Sequence, residues 1–108
     1  MKEKSDKLSK EPYSVVRAAR SGVWAGYIIH REPQPGGTIT VTMVNARRIW
    51  FWKGAATLSE LAERGTSRPD ECKFPVPVGC VEVFEVIEII RCTPEAKASI
   101  EGVPVWTA

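Results

Sequence analysis

Apolar and polar positions alternate with period two through much of the first half of the chain, the signature of strands. Tyr13 to Ala19, centred on Val15 and Val16, reads as a first strand. Arg20-Ser21-Gly22-Val23 follows as a turn in which Gly22 is free to take a positive φ. Trp24 to His30 reads as a second strand, paired with the first as a hairpin, and Gly26 inside it predicts a bulge or a close backbone approach. After the turn signal Glu32-Pro33-Gln34-Pro35-Gly36-Gly37 comes a long strand, Thr38 to Trp52. Thr38, Thr40 and Thr42 alternate there with Ile39, Val41 and Met43. From Val44 onward both faces become bulky, so either both are covered or a bulge resets the phase.

Gly54 ends that strand. Thr57-Leu58-Ser59-Glu60 is a capping box, with Leu58, Leu61 and Ala62 as the apolar side of a helix of about two turns that Gly65 stops. Ser67 to Gly79 holds three prolines and reads as an irregular crossing with brief extended pieces. Val81 to Cys92 carries glutamates at 82, 85 and 88, a spacing that also suits a helix. Six of its twelve residues are Val or Ile, which favours a strand, or two strands with a bulge between them. Thr93-Pro94 then opens a second helix anchored by Ala96, Ile100 and Val103 and stopped by Gly102 and Pro104. The expected fold is α+β: a small antiparallel β-sheet or partly open barrel with two short helices. Residues 1–11 read as a charged flexible tail, and residues 12–108 as a single α+β domain.

The whole is one domain's worth of chain, 108 residues. No apolar run approaches the ~18 residues of a membrane span, and no apolar segment follows the charged start, so a cytoplasmic protein without a membrane partner is expected. Cys72, Cys80 and Cys92 are too far apart for a metal-binding pair, and His30 is the single histidine. No metal site, no cofactor and no catalytic set is therefore expected. Charge is unevenly distributed. Residues 12–56 carry six cations against Glu32 alone, whereas residues 57–108 carry five cations against nine acids. A basic half beside an acidic half predicts either a site for an anionic ligand or head-to-tail pairing of identical subunits.

The densest chemistry lies at Asn45-Ala46-Arg47-Arg48-Ile49-Trp50-Phe51-Trp52, with two adjacent arginines and three of the nine aromatics. Arginine forks grip phosphate, and aromatic faces stack on bases. Neighbours on a strand face opposite ways, so Arg47 and Arg48 serve one pocket only if the strand bulges. Arg48, Trp50 and Trp52 share a face. The candidate ligand contacts are Arg47, Arg48 and Arg20 for phosphate, Trp50 or Trp24 for stacking, and the Gly22 and Gly26 backbone for close approach, with Val23 and Asn45 beside them. The alternative is that the tryptophans are core or subunit interface. The small net charge, +2, and the acidic second half argue against long nucleic acid as a partner.

ARRIWFWKGAATLSELA, preceded by SGVWAG and followed by CKFPVPV and IEIIRCTPEAKASIEGVPVW, resembles a family of small phage and prophage proteins. Its pattern runs SAGVxxG, ARRIWYWxGAxSLxxLA, IEIIPCTxxAxxSIxxVPxW. The likeness covers residues 14 to 106, and the chain departs from it at Trp24, often histidine, and Arg91, often proline. The family has been described as of unknown function. It is also similar to the phage anti-Thoeris proteins, oligomeric sponges that sequester a cyclic ADP-ribose-type signal without cleaving it. The resemblance implies a non-enzymatic homo-oligomer that binds a small nucleotide-type ligand. It transfers no individual contact residue. The rival expectation is a virion or host-inhibitor module whose surface Trp and Arg contact a protein.

Overall fold

A computed structural model of the chain describes residues 12–107, so the expected tail lies outside the described residues. Four antiparallel strands, β1 (Ser14–Ala18), β2 (Gly22–Pro33), β3 (Ile39–Arg48) and β4 (Val78–Arg91), close into a ring, not a true barrel. Two helices, α1 (Leu58–Arg64) and α2 (Pro94–Glu101), pack on its outside. The class is α+β, as the pattern of strands and capped helices predicts. A one-turn 3₁₀ helix, Pro69–Glu71, sits within the crossing that leads to β4. Among the described residues no helix is long and apolar enough to cross a membrane.

Two sets of side chains follow from the period-two alternation. Val16, Trp24, Ile28, Met43 and Val83 fill the ring's interior. Val15, Tyr27, Val44 and Ile49 point outward and are covered by Leu61 of α1 and Ile100 of α2. Both helices start as their sequences require. Thr57 Oγ1 accepts from Glu60 N at 3.1 Å, and Glu60 Oε1 accepts from Ala56 N at 2.6 Å. Thr93 Oγ1 accepts from Ala96 N at 3.0 Å while donating to Glu63 O at 2.7 Å, which ties the start of α2 to the last turn of α1.

The phase change in β3 is a bulge at Asn45, a non-glycine residue at φ 50. The β2–β3 register slips between Ala25 and Tyr27, directly opposite. Gly26 lies at that slip, and a Cβ there would stand 2.8 Å from Ala46 Cα. The close approach expected at Gly26 is thus real, and the bulge belongs to the facing strand. β4 is a single strand that bends: its first half pairs with β3 and its second with β1, and Val86 pairs with both Ile39 and Ala18. β3 is shorter than the expected Thr38–Trp52. It ends at Arg48, and Phe51 makes an isolated bridge to Lys73 instead.

Candidate functional site

The bulge at Asn45 decides where the two arginines go. It leaves Arg47 on the helix-covered face with Val44 and Ile49, and Arg48 on the ring's interior face with Ala46. Arg47 is 3% exposed. Its NH1 donates to Ile100 O at 3.0 Å and Val103 O at 2.7 Å, its NH2 to Phe74 O at 2.8 Å, and its Nε to Pro75 O at 3.4 Å. The guanidinium also lies over the Phe74 ring, 5.5 Å from its centroid. Burial lowers its pKa, yet a guanidinium stays charged in proteins. The charge is held by carbonyls at the C-terminal end of α2, where a helix favours a cation. The expected phosphate role of Arg47 therefore meets a side chain turned inward and engaged by four main-chain oxygens.

Arg48 stands at the mouth of the ring. Its guanidinium lies over the Trp24 ring, 4.1 Å from the centroid, and NH1 donates to Ser21 O at 2.7 Å. Trp24 and Arg48 are directly paired across β2 and β3. A guanidinium held over an indole keeps N–H groups available for an anion. Among the described residues no carboxylate pairs with Arg48, whereas Arg20 pairs with Glu85 at 3.2 Å and Arg17 with Glu88 at 3.2 Å. Those two ion pairs join the basic first half to the acidic second half within one chain. Gly22, at φ 84, lies against Arg48, its Cβ position 3.8 Å from NH1. Ser21 Oγ and Trp24 Nε1, like Tyr13 Oη elsewhere in the core, are buried without a hydrogen-bond partner among the described residues.

The structure thus gathers Arg20, Gly22, Trp24 and Arg48 at the β1–β2 turn and separates the other expected contacts from them. Val23 is committed to main-chain pairing, its carbonyl accepting from Ile49 N at 2.8 Å. Gly26 and Asn45 belong to the bulge. Trp24 is 5% exposed beneath Arg48, so its ring face is already taken. Trp50 is 60% exposed but stacks on Trp106, with centroids 5.3 Å apart and planes 15° apart. Trp52 donates its Nε1 to Ala55 O at 3.2 Å. The face expected to hold Arg48, Trp50 and Trp52 is divided because β3 stops at Arg48 and residues 50–51 pair with Lys73. Lys73 and Trp106 also adjoin this stretch, although no local pattern in the sequence links them to it. The Lys73 ammonium lies over Trp50, Phe51 and Trp106 at 5.3, 5.7 and 5.5 Å from their centroids.

Other titratable groups sit in the core. Burial, reinforced by the charges of Glu101 and Cys92, raises the pKa of Tyr13, and burial pushes the Cys92 thiol up to about 12. Folding keeps both protonated, so their contribution to stability is complete below the ordinary thiol range and falls as pH rises through it. Denaturant midpoints are expected to decline steadily from about pH 9 to pH 12, and a flat profile would contradict this burial. No group of three His, Cys, Asp or Glu capable of holding a metal ion occurs among the described residues. A shallow open depression on α1, lined by Ser59, Glu60, Glu63 and Arg64, shares none of the turn's residues.

A closed four-stranded ring with two outer helices, its third strand bulged at Asn45, is a small α+β domain. By sequence the chain belongs to a family described as a domain of unknown function, DUF6948, matched over residues 11–100. No curated protein and no solved structure shows significant similarity to it.

Proposed function

We propose that this protein is a non-enzymatic phage or prophage binding protein. It takes up a small phosphate-bearing nucleotide of the cyclic ADP-ribose or cyclic nucleotide class at the Arg48 turn and withholds it from the host's immune response in the bacterial cytoplasm. One observation carries the reading: the Arg48 guanidinium lies over the Trp24 ring, 4.1 Å from its centroid, and is fixed by a bond from NH1 to Ser21 O. The stack orients the fork, and the bond to Ser21 leaves other N–H groups for a phosphate. Gly22 adds no side chain in front of NH1. Arg20 lies on the same turn, its charge partly offset by Glu85.

Calorimetric titration with cyclic ADP-ribose, ADP-ribose and a cyclic dinucleotide tests this. Wild type is expected to bind one of them, and Arg48→Ala to weaken it at least tenfold, the loss of about one charge-assisted hydrogen bond. Arg48→Ala should remain folded, since the side chain is only partly buried and its NH1 bonds to Ser21 O in the turn. Binding by none of the three, or undiminished binding by a folded Arg48→Ala, would remove the assignment. The exposed Trp50–Trp106 stack favours a second reading, a protein-contact module in which that face is a hot spot. Trp50→Ala separates the two readings: it leaves nucleotide binding intact under the first and abolishes partner binding under the second.

A further inference from the structure

The outer wall of the ring carries an apolar feature that the turn does not use. Phe84 and Ile87 on β4 are 60% and 59% exposed. Both occupy the bent stretch of the strand. β4 holds one extra residue against β3 between Val83 and Val86, and one against β1 between Val86 and Glu88. Glu85 takes φ 56, a conformation that non-glycine residues adopt at a cost. These insertions keep Val83, Val86 and Ile89 in the ring's interior and turn Phe84 and Ile87 outward. β1 pairs with β4 only from Val86 to Arg91, and the side chains of Phe84 and Ile87 are the exposed apolar groups of this wall.

The charges around the two residues say what fits. Arg20 pairs with Glu85 and Arg17 with Glu88, so the apolar centre is flanked by matched ion pairs. Two identical walls related by a two-fold axis can set the arginines of one copy against the glutamates of the other. A strongly acidic or strongly basic partner would meet like charge at half of these positions. The other exposed apolar group, around Trp50, has the Lys73 ammonium at its centre, and two copies joined there would bring like charges together. We infer that the Phe84–Ile87 wall is a self-association surface through which the chain forms an isologous dimer. The wall shares Arg20 with the proposed ligand turn but needs neither Arg48 nor a ligand bound there.

Sedimentation equilibrium over a concentration series tests it on the full chain. Wild type is expected to dimerise, and Phe84→Glu and Ile87→Lys are each expected to weaken the dimer about 30-fold, the effect of one interface hot spot. Trp50→Ala is expected to leave dimerisation unchanged. Circular dichroism of each variant reports whether the ring is intact, and the two substitutions at different positions keep the test decisive if one fails to fold. A wild type that stays monomeric at its solubility limit overturns the inference. So does a dimer that survives both wall substitutions, or one that is lost with Trp50→Ala.

Discussion

Replacing Arg47 by alanine is expected to remove about 4 kcal/mol of stability, the sum of several unpaired buried carbonyls and lost stem packing. Four carbonyls converge on this guanidinium, from Phe74, Pro75, Ile100 and Val103. They come from three stretches of chain: the strap before β4, the last residues of α2 and the segment after it. Without the donor each must find water in a place that the fold has closed. Small domains have only ~5–15 kcal/mol in total, so the variant sits close to unfolding. Replacing a buried ion pair with apolar residues can be neutral, but that precedent fails here because the acceptors are main-chain oxygens that no substitution removes. Arg47→Lys keeps the charge and loses the fork, and is expected to fall between wild type and alanine. Urea unfolding followed by circular dichroism measures both. A loss under about 1 kcal/mol for Arg47→Ala would show that the carbonyls are satisfied some other way.

Gly65→Ala is expected to cost about 3 kcal/mol, from backbone strain and overpacking together. Gly65 ends α1 at φ 79 and ψ −158, a combination essentially confined to glycine. A Cβ there would stand 2.3 Å from Ser99 Cβ on α2. Ser99 cannot easily move aside, because its Oγ accepts from Thr66 N at 2.9 Å. The helices would have to separate. Gly37 is the control: it too has a positive φ, 94, but nothing lies within 4 Å of its Cβ position. Gly37→Ala is therefore expected to cost about 1 kcal/mol, the backbone effect alone. Equal losses at the two sites would mean that the contact with Ser99 carries no weight.

Much of this architecture is legible from local rules. The two capped helices announce themselves in Thr57-x-x-Glu60 and Thr93-Pro94, since a hydroxyl before an apolar run satisfies the first amides of a helix. The bulge is visible as a failure of alternation after Val44, and because it falls at Asn45, before both arginines, ordinary strand alternation still turns Arg47 and Arg48 to opposite faces. Which of them turns inward was less accessible. Arginine reads as a surface residue, and nothing local to Arg47 announces the carbonyls of residues 100 and 103 more than fifty positions away. The signal was its face: Arg47 shares a side with Ile49, and a residue two from a buried isoleucine on one strand is covered too. Lys73 and Trp106 carry no local signal, because their meeting with Trp50 depends on how the crossing and the tail fold back beside one another. The end of β3 at Arg48 was likewise hidden, as Ile49 to Trp52 is apolar enough to extend a strand and pairs with Lys73 only in the folded chain.

The measurement that bears most directly on the proposed binding is native mass spectrometry of the protein incubated with extract from phage-infected, defence-proficient cells. Denaturation follows, so that whatever is released can be weighed. The Arg48–Trp24 turn predicts an intact nucleotide-sized molecule in fixed ratio to the protein, released unchanged in mass and absent from Arg48→Ala. A bare protein, a molecule that Arg48→Ala retains, or a released species altered in mass would contradict the account.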